Sequence, residues 1–454
     1  MPGLGLSDVI WLIGESRERP FHVGGLLLFD LPGDLTPADI RGAMRSTDHE
    51  VRPPFNQRLA RPYGRAGRFK WVEDEPDLEH HVRHVALPAP GRIRELLAYV
   101  SQQHGSLLDR HRPLWEAVLI EGVEGGRIAL YNKIHHAMLD GVAAMRQLTN
   151  SLSDDPDERD LPPPWAAPPR KRRPREEDDT SLLRQGIEMA AASVREGLGA
   201  ATTVVKLGAQ VVSGAAGGAE VVPYAAPRSM LNVHTTSARR IVAQSYAADR
   251  FRAIGKKHGA TVNDVVLAVC GGALRSYLES HDALPDEPLV AFVPVSIRPA
   301  DGGDSGNAVS MMLSSLATDV ADPVERLEQV KASMDAGKAR LAGMTQLQLI
   351  EYAALLLAPV AVGQALRMAT VGRPLFNVII SNVPGPREPL YWNGARMSGM
   401  YPLSAIADGY ALNITLVSYA GNLEFGITAD RTALPRVQRL IDHLEDALAE
   451  LEAA

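Results

Sequence analysis

The sequence predicts an α/β protein of two similar lobes, on three observations. Strand-like and helix-like segments alternate over residues 1–152. The alternation resumes at about residue 226, and a proline- and charge-rich stretch lies between. The chain has 454 residues, 45% of them hydrophobic, which is too long for one ordinary core and suggests about two to three domains.

In the first lobe, residues 1–152, Gly24–Phe29 (GGLLLF), Trp115–Ile120 and Arg127–Ile134 read as strands, and Ile40–Met44 and Ile93–His104 as helices. Val142, Met145, Leu148 and Leu152 recur at helical spacing after Asp140, whose carboxylate suits the N-cap. Residues 153–180 hold seven prolines and dense mixed charge, a composition that builds no core and reads as a mobile linker. Residues 181–225, rich in Ala, Val and Gly, read as a helical connector. In the second lobe, 226–454, Thr261–Leu278, Pro323–Leu341, Gln346–Met368 and Leu434–Leu451 read as helices. Pro288–Val295, Val309–Ala317, Phe376–Ser381 and Leu412–Tyr419 read as strands. No fixed-period repeat is present.

Composition narrows the function. A net charge of −7 gives no reason to expect nucleic acid. The lone cysteine, Cys270, rules out an intramolecular disulfide and fits a reducing cytosol. Its apolar surroundings, Val265–Ala273, suit a buried structural thiol rather than a nucleophile. The N-terminus lacks a basic region followed by an apolar core, so no secretory signal is expected. The longest uncharged runs, Tyr352–Leu366 and Gly409–Leu423, fall short of the roughly 20 apolar residues that span a bilayer. The protein is expected in the cytoplasm, either free or held peripherally at the inner membrane face or on a lipid droplet.

The segment Lys133–Gly141 carries the chemistry. It reads H-H-x-x-x-D-G where an apolar strand gives way to an amphipathic helix. Histidine titrates near neutrality without help, so His136 is the candidate general base. His135, its neighbour on an extended strand, faces the other way. Asp140 caps the following helix or pairs with an arginine to fix the loop, and Gly141 is read as allowing a tight turn. A second pair, His80-His81, lacks the Asp-Gly, since Val85 and Ala86 stand there, and is expected at the surface. His104, His111, His135 and His136 form no ligand spacing, so no metal is expected. No G-x-S-x-G elbow or phosphate-binding loop occurs; Gly303-Asp304-Ser305-Gly306 resembles the former only superficially.

Three further segments are open to two readings. Pro113-Leu114-Trp115 reads as a core tryptophan at a strand start. Asn263-Asp264 has the look of polar groups at any helix start. Ser381-Asn382 ends a strand, where the pair suits donation to an oxyanion, and turn chemistry explains it equally well.

Together these residues resemble the superfamily of CoA-dependent acyltransferases, which includes chloramphenicol acetyltransferase and peptide-synthetase condensation domains. The finer resemblance is to bacterial bifunctional wax ester synthase/diacylglycerol acyltransferases. It rests on Pro20–Gly25, Leu108–Glu116, Asn263–Ala268, Pro294–Pro299 and Ser381–Pro386 beside the histidine motif. The family often has Met where Phe21 stands. The resemblance implies two chloramphenicol-acetyltransferase-like lobes with mixed sheets and an active-site tunnel at their interface. It implies transfer of a long-chain acyl group from acyl-CoA to diacylglycerol or a fatty alcohol, with CoA as a substrate component and no cofactor. His136 would act as base without an acyl-enzyme. Arg298 is the matching partner for Asp140, and Asn263 and Asp264 carry over as supports. Gln346–Met368 and residues 181–222 would line an acyl channel, lie on a lipid surface, or pack as ordinary helices. The alternatives are a condensation-type enzyme using carrier-protein thioesters and a non-catalytic lipid-binding or lipid-droplet protein.

Overall fold

The computed structural model describes residue 4 and residues 6–33, 35–46, 48–64, 69–168, 219–297, 308–365 and 368–454. In chain order the first half contains α1 (Leu6–Gly14), β1 (His22–Asp30), α2 (Pro37–Arg45), β2 (Gln57–Leu59), β3 (Trp71–Glu73), α3 (Leu78–His81), β4 (Val82–Ala86), α4 (Ile93–His104), β5 (Trp115–Val123), β6 (Arg127–His135) and α5 (Gly141–Asn150). The second half contains β7 (Arg239–Ala247), α6 (Ala248–His258), α7 (Val262–Glu279), β8 (Val290–Ile297), β9 (Ala308–Ser315), α8 (Pro323–Ala342), α9 (Gln346–Ala365), β10 (Val378–Val383), β11 (Tyr391–Trp392), β12 (Ala395–Leu403), β13 (Leu412–Tyr419), β14 (Asn422–Asp430) and α10 (Leu440–Ala453).

Two mixed six-stranded sheets form the lobes. The first runs β11-β12-β1-β6-β5-β4, antiparallel except for β4 beside β5. The second runs β7-β14-β13-β10-β8-β9, with β10 parallel to both its neighbours and the remaining pairs antiparallel. A lobe boundary at residue 226 therefore needs correction. Strands β11 and β12 come from the second half of the chain and complete the sheet of the first. The cause lies in β1, eight of whose nine residues are buried. A strand buried so completely needs a hydrogen-bonding partner on each side, and β6 supplies only one.

The cores follow from the periodicities. Helix α7 buries Val266, Cys270 and Ala273 against the second sheet, beside Ile414 and Phe425. Helix α5 buries Ala144, Met145 and Leu148 on the first sheet, in a cluster that also takes in Val417 and Tyr419 of β13. The two sheets come into close contact at Gly426. A Cβ there would lie 1.8 Å from the carbonyl oxygen of Pro402 in β12, so no other residue fits.

Two more expectations are corrected. The stretch read as a mobile linker is anchored at two places in its described part, at Ser153 and over 161–167, with 154–160 exposed between them. Trp165 is 1% exposed and stacks on Trp115 at 5.2 Å between centroids. Its carbonyl accepts from the Arg52 amide at 2.9 Å, and Ser153 pairs with Tyr391. The flanking charge concealed a three-residue apolar anchor, Trp165-Ala166-Ala167. Residues 169–180 and 181–218 lie outside the described residues. The surface assignment of His80-His81 fails for His81, which is buried, stacks on Trp115 at 4.5 Å, and places Nδ1 2.8 Å from the Trp115 carbonyl. Burial pushes its pKa down. Among the described residues no helix is long and apolar enough to cross a membrane.

Candidate active site

His135 is the last residue of β6, paired in register with His22 of β1. The chain then leaves the sheet. The His136 amide donates to the Phe21 carbonyl at 2.9 Å, and Met138 N–H closes a turn onto the His135 carbonyl at 2.8 Å. Asp140 follows with extended dihedrals and accepts from the Ala143 amide at 2.8 Å, which makes it the N-cap of α5. Gly141 takes no part in a tight turn. It is the first residue of the helix, it has no left-handed φ, and a Cβ added there meets no atom within 4 Å. The turn at 136–138 needs no glycine because none of its residues has a left-handed φ.

The two histidines have different surroundings. His136 is half-buried, and its ring lies flat against the indole of Trp11, with centroids 4.3 Å apart and planes inclined by 24°. His135 is fully buried. Its Nδ1 accepts from the Ala137 amide at 3.0 Å, which leaves the proton on Nε2, 3.2 Å from Glu15 Oε1. Glu15 also takes the Arg110 guanidinium, whose Nη2 lies 2.9 Å from Oε2 and also donates to the Leu12 carbonyl. Burial raises the Glu15 pKa, yet the His135 imidazole and the Arg110 guanidinium together hold the carboxyl below its usual range. His135 is thus fully buried, with Nδ1 bonded and Nε2 set beside Glu15, whereas His136 presents a half-exposed ring.

The glycine pair inside β1 seats this loop. A Cβ on Gly24 would lie 2.3 Å from the Asn132 carbonyl oxygen in β6, and one on Gly25 would lie 2.7 Å from Leu148 Cδ1 in α5. Strand β6 and helix α5, which flank His136, both approach β1 more closely than a side chain allows. Behind the sheet lie further buried polar groups. Burial pushes His104 down to about 3 and lowers His22 well below its ordinary value. His104 Nδ1 lies 2.9 Å from the Tyr131 hydroxyl, and Lys133 Nζ lies 3.2 Å from Glu116 Oε2.

The second lobe contributes two of the predicted segments. Asn263, in the first turn of α7, accepts from Asn382 Nδ2 at 3.5 Å, so the two motifs meet in space. Asp264 is fully buried and forms a capping box with Thr261, with Lys338 Nζ 3.8 Å from Oδ1. Ser381 and Asn382 occupy opposite faces of β10. Asn382 lies on the face of Ile380, packed on the helices, while Ser381 shares its face with Val383, which packs into the first lobe's core. Alternation therefore turns only one of the two, Ser381, to the face of Val383. Arg298 lies outside the described residues. Trp11, Glu15 and Arg110 were not anticipated. The available signal was the i, i+4 spacing of Trp11 and Glu15 along an apolar segment.

Residues 4–266 match the wax ester synthase/diacylglycerol acyltransferase catalytic domain, and residues 305–452 match the C-terminal domain of that family. The chain belongs to the wax ester synthase/diacylglycerol acyltransferase family. Members of this family similar to it include the O-acyltransferase WSD of Acinetobacter baylyi, 46% identical over 451 residues, covering 98% of this chain and 96% of that one. A probable diacylglycerol O-acyltransferase of Mycobacterium tuberculosis is 45% identical over 452 residues, covering 99% and 98%. The solved wax ester synthase/diacylglycerol acyltransferase from Marinobacter aquaeolei VT8 superposes with a TM-score of 0.79 at 42% identity, covering 100% of this chain and 99% of that one. The starter condensation domain of rhizomide synthetase shares the fold at 14% identity and a TM-score of 0.53. As a member of the wax ester synthase/diacylglycerol acyltransferase family, the protein is an acyltransferase.

Proposed function

We propose that the protein moves a long-chain acyl group from acyl-CoA to a lipid hydroxyl, giving triacylglycerol from diacylglycerol and wax ester from a fatty alcohol. His136 acts as general base. It takes the proton of the acceptor hydroxyl as the oxygen attacks the thioester carbonyl. The tetrahedral oxyanion collapses, the C–S bond breaks, and the leaving thiolate takes the proton back from the imidazolium. Both substrates meet in a tunnel at the lobe joint. Ser381 borders it on the second lobe, and Asp140 holds the His136 loop through the helix cap, with Arg298 as its proposed partner.

The observation that carries this reading is the contrast within the motif: His135 is fully buried with Nδ1 bonded to the Ala137 amide, and His136 is half-exposed. Direct transfer without an acyl-enzyme fits the only cysteine, which is buried in α7 with its thiol pushed up to about 12 by burial. Peripheral attachment to a lipid surface fits the exposed apolar side chains Leu347, Met368 and Val371 in and just beyond α9.

The test is CoA release from palmitoyl-CoA with hexadecanol and with dioleoylglycerol, for wild type and His136→Ala. The variant should lose at least about 10²-fold in activity, as removal of a general base does. Activity near wild type would overturn the base assignment.

A further inference from the structure

The motif presents its base on a short turn, and one face of that imidazole meets α1, a helix some 120 residues earlier in the chain. Trp11 covers the His136 ring face, and Phe21 meets Trp11 edge-on at 5.0 Å and 68°. The same Phe21 accepts the His136 amide through its carbonyl. Two aromatic side chains and one backbone bond therefore enclose the base on one side. Phe21 is itself fixed, being 4% exposed, and a Cβ on Gly14 would come within 3.2 Å of its ring. One turn beyond Trp11, Glu15 faces the other histidine. Glu15 directly follows α1, and its amide still bonds the Trp11 carbonyl at 3.1 Å, so the end of the helix addresses both histidines at once.

We infer that Trp11 is a positioning residue for the reaction, acting through His136. Two physical effects follow from the stack. The indole face confines the imidazole plane, which keeps the nitrogen that takes the proton directed at the acceptor hydroxyl. It also offers an electron-rich surface to the imidazolium that forms as the proton moves. That attraction is weak for the neutral ring and stronger for the cation, so it favours the transition state over the ground state. Trp11 touches the base and is assigned no contact with either substrate, so its effect belongs in kcat more than in KM.

The inference rests on His136 being the base, and the experiment separates the two. Steady-state kcat and KM for palmitoyl-CoA and hexadecanol are measured, with thermal melts, for Trp11→Leu, Trp11→Phe and His136→Ala. Leucine keeps apolar bulk without a π face; phenylalanine keeps a π face. Trp11→Leu should lose roughly 10- to 100-fold in kcat, with KM changed by less than about threefold. Trp11→Phe should recover kcat to within about threefold of wild type while melting with Trp11→Leu. A Trp11→Leu enzyme with wild-type kcat, a loss confined to KM, or an equal loss in Trp11→Phe would each overturn the role of Trp11. If His136→Ala is inactive in the same series, the base assignment survives that failure; an active His136→Ala would remove the ground for both.

Discussion

The joint between the lobes can be tested at one atom. Gly426→Ala places a Cβ 1.8 Å from the Pro402 carbonyl oxygen, 2.8 Å from its carbon and 3.2 Å from its nitrogen. All three are backbone atoms of a strand held in the ladder with β1, so no side-chain rotation relieves the clash. Real Cβ contacts essentially never fall under 3.0 Å, so β12 and β14 must part by at least about 1.2 Å. Strand β12 is tied through β1 to β6 and the His136 loop, whereas β14 is tied through β13 to β10 and Ser381. The displacement therefore opens the joint that the reaction is proposed to use. Misplacement of reacting groups by about 1 Å costs on the order of 10²-fold in rate, and overpacking costs about 1–3 kcal/mol in stability. The assay is kcat with palmitoyl-CoA and hexadecanol beside a chemical melt. Gly42→Ala is the control: it makes the same chemical change on an exposed face of α2 with nothing within 4 Å, and should stabilise by about 0.5–1 kcal/mol with kcat unaltered. If Gly426→Ala keeps kcat within about twofold of wild type, the close approach of the sheets has no bearing on catalysis.

Two further outcomes are expected. Glu424 is fully buried beside Ser245, and burial raises its pKa from 4.5 to about 7, so stability present below pH 4.5 is lost as pH rises through about 7. Glu424→Gln cannot ionise and should exceed wild type by about 2–3 kcal/mol at pH 8 with little difference at pH 4.5, and equal differences at the two pH values in urea melts would refute this. Asp140→Ala should cost about 0.5–2 kcal/mol and lower kcat, while Asp140→Asn, which still caps, should melt like wild type; a melt of Asp140→Asn as low as that of Asp140→Ala would refute the cap.

What the sequence made legible was local. The H-H-x-x-x-D-G turn, the Asp140 cap and helix Ile93–His104 each depend on residues within a few positions of one another, and periodicity or spacing is enough to find them. The residues that finish the site depend on contacts at long range. Trp11 meets His136, and Glu15 meets His135 and Arg110, across about a hundred residues or more. An i, i+4 pair on a short apolar helix looks the same whether it packs on a core or on a catalytic loop. Strand β12 was hidden for a related reason. Its Met, Gly and Pro residues give little strand signal, and it becomes a strand because β1 has a free edge for it to fill. For Ser381 and Asn382, alternation dictates that they part, but only Asn263 reveals which face belongs to the helices.

The proposed direct transfer places a demand on this fold that an acyl-enzyme would not. With no covalent intermediate, acyl donor and acceptor must be held together at one moment, and groups on both lobes must keep their spacing while they are. The stretch from α1 to the start of β1 ties the His136 side of the proposed site to the second lobe. It carries Trp11, Glu15 and Phe21, and between them Arg19, whose guanidinium Nη1 lies 3.2 Å from Asp408 Oδ2 in the loop after β12. Both members are nearly buried, with side chains 9% and 7% exposed. A buried ion pair gives up hydration on both sides, so its net energy is small even when its geometry is good. Removing Asp408 is the costly change, because among the described residues the buried Arg19 guanidinium then keeps only the Ser16 hydroxyl, whereas Asp408 without Arg19 still has Thr235 and His234. Such a pair adds little to the depth of the folded state and much to its uniqueness. Placed where Arg19–Asp408 is, it penalises any slippage of the second lobe against the segment that holds His136.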